Sequence, residues 1–330
     1  MNVLYSLLIV LALVIIPLLG AGAAGWHALF GVVIPLLAFV FFLVSFIYKI
    51  IDWGKSAVPF RIPTTGGQQE SLSWIKPSRL DNPTTTLGVV GRMFLEIVLF
   101  RSLFRNTRTQ LTEGPRLSYG STQWLWLGAL AFHASFFVIL ARHMRFFTEP
   151  TPLPFVWLDK LDGILQFGVP TLYLTELVIL IALGYLFLRR VVVPQLRYIS
   201  LPADYFPLFL ILAIVITGIL MRYFIRTDVM DIKELTMGLA TLHLTVPAGI
   251  GVIFYIHLFL VSALLVYFPW SKLMHLGGVF LSPTRNMPNN NRMQRHVNPW
   301  DYPVKLHPYE EWEDDYREAM KEAGLPVEKE

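Results

Sequence analysis

Eight histidines punctuate a cysteine-free chain of 330 residues, and four of them have the spacing that haem chemistry needs. A six-coordinate haem b takes two neutral imidazoles, usually from two helices facing each other across the iron. His133 and His143 are ten residues apart, roughly 15 Å along a helix with the rings about 80° apart around it. His257 and His275 are eighteen residues apart, about five helical turns, and so share one face. Two histidines on each of two antiparallel helices make a diheme arrangement. A lone histidine near a helix end is usually interfacial or hydrogen-bonded, but His133 and His257 fall inside apolar runs, where an ionisable group is costly and normally functional. Spacing leaves the choice of four open, because His243, fourteen residues before His257, could pair with His143 while His257 pairs with His133.

The elements that position these residues are membrane helices. The chain is 55% hydrophobic and 15% charged, with a mean hydropathy of +0.54, against about 25% charge in soluble domains. Runs of about 20 apolar residues predict spanning helices. Barrel strands are half as long and alternate in polarity, so the fold class is an all-α membrane bundle. Six spans are expected, at 2–20, 27–51, 123–141, 164–188, 205–225 and 237–268. The first reads as an uncleaved anchor, because no Lys or Arg precedes Lys49 to make the positive start of a signal peptide. The absence of cysteine excludes iron–sulfur ligation, covalent haem attachment and disulfides by this chain. Any cluster must come from a partner.

Four regions follow from this pattern: two helices over 1–51, a basic loop over 52–120, the histidine-bearing bundle over 121–281, and a soluble tail over 282–330. The loop holds nine basic residues against five acidic ones, and 87–108 within it reads as an amphipathic helix with Arg92, Arg101, Arg105 and Arg108 among apolar residues. With Arg189, Arg190 and Arg197 in the link at 189–203, the positive-inside rule places both loops and both termini in the cytoplasm of a multi-pass inner-membrane protein. The net charge of +4 thus bears on orientation, and no nucleic acid is expected as a partner. The tail should be irregular over 283–308 and helical over 309–323, either as a solvated cap or as a docking arm.

The segment FHASFFVILARH from Phe132, with HLFLVSALLVYFPWSKLMH from His257 to His275, resembles the two ligand helices of the membrane cytochrome b subunit (gamma subunit) of respiratory nitrate reductases. Both spacings match, as does the ending aromatic-Pro-aromatic-Ser-basic-Leu-x-His. That likeness implies haem iron ligation by His143 with His257, at a haem nearer the outside, and by His133 with His275, nearer the cytoplasm. The stretches IPTTGGQQESLSWIK (62–76) and LDNPTTTLGVVGRMFLEIVLFRSLFRNTR (80–108) resemble more closely the cytochrome b subunit of the transmembrane complex linked to dissimilatory sulfite reduction, over nearly the whole chain. This implies two haems b, menaquinol as electron donor and a cytoplasmic iron–sulfur partner related to heterodisulfide reductases, with further membrane and periplasmic subunits. The chain would be the electron-transfer subunit of a quinol-oxidising complex.

Other polar residues in the bundle bear on the quinol. Arg142, Arg145 and Lys160 follow the outer histidine, and Arg142 and Lys160 are candidate contacts for a quinone or a haem propionate. Arg142 stands where the nitrate reductase family has a glycine, and Lys160 is near, but not at, the spacing of that family's quinone-assisting lysine. The arginines could equally snorkel to headgroups. Glu176, expected near the middle of the fourth span, is a candidate proton relay or an interhelical tie. Arg222 and Arg226 suit propionates or headgroups. A rival reading is a proton-coupled transporter, which predicts internal repeats and broken helices at mid-membrane; another is the same complex run towards quinone reduction.

Overall fold

A computed structural model describes the chain except residues 57, 59, 63–66, 113, 115, 164–169, 294–306 and 330. It is mostly helical. In chain order α1 is Asn2–Pro17 and α2 Ile34–Gly54, each joined to a wider-wound turn, Leu18–Ala23 after α1 and Leu29–Val33 before α2. The polar stretch contributes α3 Thr86–Leu99, α4 Arg101–Arg105 and the hairpin β1 Thr107–Thr112 with β2 Arg116–Ser121. Then follow α5 Gln123–His143, α6 Leu153–Asp162, α7 Leu174–Val192, α8 Pro194–Ile199 and α9 Pro202–Ile219, which winds wider over Leu220–Phe224. Last come α10 Val229–Thr241, α11 Val252–Tyr267, α12 His275–Leu281 and α13 Tyr309–Glu322.

Five helical segments among the described residues are long and apolar enough to cross a membrane: Asn2–Ala23, Leu29–Gly54, Gln123–Phe146, Pro202–Phe224 and Val252–Trp270. The sixth, α7, packs along α5 but carries Glu176 in its first turn and Arg189 and Arg190 in its last. Its acid at the N-terminus and bases at the C-terminus complement the helix dipole. Of the fourth span expected at 164–188, residues 164–169 lie outside the described ones, 170–173 are not helical, and α7 begins at Leu174.

Packing follows side-chain polarity inverted for a lipid setting. Large apolar residues point outward, with Leu4, Leu8, Leu11 and Ile15 down one side of α1 and Leu37, Val40, Val44 and Ile51 on α2, as a helix facing lipid requires. Small and polar groups face inward. Buried Ser6 donates to the carbonyls of Asn2 at 3.0 Å and Pro202 at 2.9 Å, and the Asn2 amide donates to Ser200 O at 2.9 Å, tying the start of α1 to the start of α9. Gly20 lets Phe30 lie across the turn between α1 and α2, since a Cβ there would meet the Phe30 ring at 2.2 Å. One apolar core joins Phe30, Leu235, Phe254 and Tyr255, and a second joins Ile179, Leu183 and Ile211 with Phe132 and Phe136.

Two expectations need correction. The span expected at 237–268 is two helices separated by an irregular link over 242–251. Leu242 turns left-handed at φ 61, and Pro247, Gly249 and Gly251 prevent the helix from resuming before Val252. The amphipathic helix expected over 87–108 breaks at Phe100, also left-handed at φ 49. From Thr107 the chain pairs as a β-hairpin, Thr107 opposite Ser121 and Thr112 opposite Arg116, for which the alternation of threonines with longer residues is suited. In the tail, α13 forms where expected. It buries Glu313, whose carboxylate accepts the backbone N–H groups of Glu328 and Lys329 at 2.8 and 2.9 Å, so the chain end folds back over its own helix.

The link over 242–251 is packed tightly against α10. A Cβ on Gly238 would lie 2.5 Å from His243 O, a backbone atom that cannot give way cheaply. Gly238→Ala should therefore lower stability by about 1–3 kcal/mol through overpacking, although alanine is the better helix former. Gly184→Ala, in α7 with nothing within 4 Å, should be neutral or raise stability by about 0.5–1 kcal/mol. Thermal unfolding of the purified protein in detergent compares them, and equal stability of Gly238→Ala and the unaltered chain would contradict the packing.

Candidate cofactor site: two histidine pairs and a buried ion network

The histidines of α5 meet His257, within α11, and His275, the first residue of α12. His133 and His275 have ring centroids 5.9 Å apart with planes at 83°, and His143 and His257 have centroids 6.4 Å apart with planes at 11°. Two imidazoles bound to opposite sides of one metal place their centroids roughly 6 Å apart, from bonds of about 2 Å and a further ~1 Å to each ring centre. Both pairs have that separation.

Each ring is held by its other nitrogen. His133 Nδ1 donates to Ala129 O at 2.8 Å, His143 Nδ1 to Ile139 O at 2.7 Å and His275 Nδ1 to Lys272 O at 2.8 Å. A carbonyl can only accept, so the proton of each neutral ring sits on Nδ1 and the lone pair on Nε2. His257 Nδ1 lies 2.9 Å from Thr217 Oγ1, whose own proton is directed at Ala213 O (2.8 Å) or Ile214 O (2.9 Å), leaving the oxygen free to accept from the ring. Such outward Nδ1–H bonds fix tautomer and orientation in imidazoles that bind metals. Gly218 lies beside His257, where a Cβ would stand in ordinary contact, 3.5 Å from its Cε1. Phe100 and Phe132 meet the His133 ring edge-on at 5.0 and 4.9 Å.

The donor set decides what could be held. Among the described residues no group of three or more His, Asp or Glu side chains converges on one point, whereas two imidazoles per site match an ion whose remaining ligands come from a planar macrocycle. The residues present fit haem. His243 takes no part: it is exposed in the irregular link, with Nδ1 3.2 Å from Thr241 O. His27 stacks on Tyr255 at 5.1 Å.

Beside the His143 pair lies a buried ion network that sequence reasoning only partly saw. Arg142 is buried; its Nη1 pairs with Asp162, its Nε lies 3.5 Å from Asp159 and its Nη2 3.5 Å from Glu176. Asp162 also accepts the Thr175 N–H at 2.9 Å and hydroxyl at 2.6 Å. Tyr173 donates to Asp159 at 2.7 Å and Tyr223 to Glu176 at 2.6 Å. The guanidinium carbons of Arg142 and Arg222 lie 3.2 and 4.0 Å from the centre of the Tyr173 ring, within cation–π range. Arg145 reaches Asp159 at 3.4 Å, so three arginines balance three carboxylates. Arg222 also donates to Thr171 O at 3.0 Å.

Glu176 thus stands in the first turn of α7 and not, as expected, near the middle of a span. Lys160, on the exposed side of α6, joins none of these contacts. Asp159, Asp162, Tyr173 and Tyr223 were not anticipated. The only signal was the pair of acids at i and i+3 in α6, where a short link between apolar runs has little reason to carry charge.

The family described as the nitrate reductase gamma subunit matches residues 88–292, which contain both histidine pairs and the whole network. The chain belongs to the nitrate reductase gamma subunit family. It is also 48% identical over 280 residues to the Hdr-like menaquinol oxidoreductase cytochrome b-like subunit of Archaeoglobus fulgidus, covering 83% of each chain. The protein of the same name from Archaeoglobus profundus is 41% identical over 275 residues, covering 81% of each. The family match begins within α3 and omits α1 and α2, whereas these relatives align over most of the chain.

Burial makes the Arg142 network fragile to partial removal. Arg142→Met leaves Asp162 and Glu176 charged and should destabilise the protein by about 3–5 kcal/mol. Asp162→Leu should cost clearly less in the Arg142→Met background than alone. Denaturation of the two single variants and the double variant measures the coupling, and additivity within about 0.5 kcal/mol would contradict a direct buried pair.

Proposed function

We propose that this chain is the membrane cytochrome b subunit of a menaquinol oxidoreductase, and that it holds two haems b, one between His143 and His257 and one between His133 and His275. The observation that carries the reading is the pair of facing imidazole couples at metal-bridging separation, each ring anchored through Nδ1. Support comes from the names of the two relatives, which specify a cytochrome b-like subunit and menaquinol. Haem iron, when bound, supplies one-electron oxidation and reduction, while the protein sets its ligation, orientation and surroundings.

The chain's own residues supply the rest. The positive-inside pattern supports a cytoplasmic side for the 52–120 loop and both termini, and on that orientation the His143 pair and the Arg142 network lie towards the outside. Oxidising a quinol releases two protons, and the carboxylates nearest that pair are those of the network. Glu176 Oε2, bonded by Tyr223 and close to Arg142, is assigned to take a proton from the quinol hydroxyl and pass it outward. Arg142, already paired with acids, holds that carboxylate in place. Lys160, with no carboxylate partner among the described residues, is the group assigned to a quinone oxygen.

The electron acceptor is assigned to a cytoplasmic iron–sulfur subunit related to heterodisulfide reductases, since the chain has no cysteine and its relatives are named Hdr-like. The resemblance of 62–76 and 80–108 to the subunit linked to dissimilatory sulfite reduction supports sulfur metabolism as the setting.

Reduced-minus-oxidised spectra and haem-to-protein ratios of the purified chain test this. Two haems b per chain are expected. His143→Ala and His257→Ala should lose one and the same haem, His133→Ala and His275→Ala the other, and His243→Ala neither. A haem-free wild-type chain would overturn the reading and favour the transporter.

A further inference from the structure

Loop residues 76–81 and the short helix α4 form a cavity of about 480 Å³. Four cations line it, Lys76 and Arg79 from the loop and Arg101 and Arg105 from α4, with Asp81 as the one acid. The Asp81 carboxylate is already used, by Arg101 at 3.3 Å, by Arg105 and by the Ser78 hydroxyl at 3.1 Å. Lys76 and Arg79 are exposed, and among the described residues no carboxylate pairs with either.

More positive charge is packed around the same wall. Arg61 is only 1% exposed; it donates to the Asp81 carbonyl at 3.1 Å, and its Nε and Nη1 are buried without a partner. Burial, and then the neighbouring Arg92, pull Arg61 down to about 10, so it stays cationic at neutral pH. Arg92, also buried, donates to Thr284 O at 2.9 Å. It too is held below its ordinary value, by burial first, with Glu96 and Asp81 opposing and Arg285 and Arg101 adding to the effect. Glu96 is itself paired with Arg285 at 3.3 Å. Of the groups joined in this way seven are cationic and two, Asp81 and Glu96, are anionic. Buried charge is costly unless paired, and both acids are spent, so the balance points to an anion from outside the cluster.

Size and chemistry select the kind of anion. The cavity lies within the range of small-molecule sites, about 300–1,000 Å³, and is too small for a folded segment of another protein. Guanidinium forks match the oxygens of a phosphate group, which brings up to about two negative charges and three strong acceptors.

We propose that this cavity binds a phosphate group, whether of a free phosphate compound or of a lipid headgroup, with Lys76, Arg79, Arg101 and Arg105 as its donors. Arg101 and Arg105 are held in place by Asp81, while Lys76 and Arg79, paired with no acid, supply the charge that the ligand neutralises. Arg61 is a positioning residue, tied to the backbone of Asp81. The inference is independent of haem and of the quinol.

Inorganic pyrophosphate, titrated calorimetrically into the delipidated full chain in neutral detergent, tests the cavity. One saturable site is expected. Lys76→Gln with Arg79→Gln should weaken it about tenfold or more, because a hydrogen bond to a charged group is worth at least that factor. Thermal unfolding checks that this exposed pair has not disturbed the fold. Lys55→Gln with Arg197→Gln, exposed cations outside the cavity, should leave binding unchanged. Native mass spectrometry from mixed phosphatidylglycerol–phosphatidylcholine nanodiscs then separates the sources. Preferential retention of phosphatidylglycerol, lost in the Lys76/Arg79 variant, assigns the site to a headgroup. Equal retention of the two lipids beside pyrophosphate binding assigns it to a free phosphate compound. Absence of both pyrophosphate binding and lipid preference would overturn the proposal, as would an equal loss in the control variant. Hexaglutamate binding as tightly as pyrophosphate would also overturn it, because the cations would then serve an acidic protein surface.

Discussion

Four Nδ1–H bonds, three to backbone carbonyls and one to Thr217, are the contacts on which the centre of this bundle turns. Within a membrane every polar group needs an internal partner, and a histidine satisfied at one nitrogen presents a lone pair at the other. His133 and His143 reach back one turn to carbonyls of α5 itself, so their orientation is a property of a single helix. His257 depends on another helix, α9, and His275 on the short turn that follows α11. Ring pairing thus holds α5, α9 and α11 in one arrangement, and the helices around them need only fill space. That is why α1 and α2 can be so plainly apolar.

The ion network solves the complementary problem. Arg142 adjoins His143 and points away from the pair, into Asp162, Asp159 and Glu176. A buried arginine is tolerable only where carboxylates and hydrogen bonds compensate it, and α6, α7 and the segment before α7 supply them. The result is a charge-balanced, hydroxyl-lined cluster beside one histidine pair and absent from the other. Such asymmetry distinguishes the two ends of the bundle. The opposite end carries the surplus of positive charge in Arg61, Arg92, Arg101, Arg105 and Arg285.

Much of this was legible in the residue order, for identifiable reasons. Spacings of ten and eighteen survive folding because α5 is one regular helix, and α11 with its short continuation is nearly so. Membrane character needs only hydropathy. The broken span escaped notice because Leu242, Leu244, Val246 and Ile250 keep the stretch apolar, and hydropathy does not register that Pro247 and two glycines deny it a helix. The turn at Phe100 had no glycine or asparagine to announce it, so α3, α4 and the first two residues of β1 looked like one helix. The ion network was the least visible feature. Its members come from four stretches of chain, and an isolated Asp159 or Tyr223 has no period or motif to mark it. Which face of α3 turns inward was equally hidden, because an amphipathic pattern fixes two faces and does not say which one packs on the body of the protein.

The central claim is that each histidine pair grips one iron in the geometry the bare rings already show. Electron paramagnetic resonance of the oxidised, purified chain tests that most directly, because the two pairs differ in the angle between their planes, 11° for His143 with His257 and 83° for His133 with His275. Near-parallel imidazoles give low-spin ferric haem a rhombic spectrum, and near-perpendicular ones a strongly anisotropic spectrum. The account predicts one signal of each kind in equal amounts, the rhombic one vanishing with His143 or His257 and the anisotropic one with His133 or His275. A single low-spin signal, or high-spin iron at either site, would contradict it.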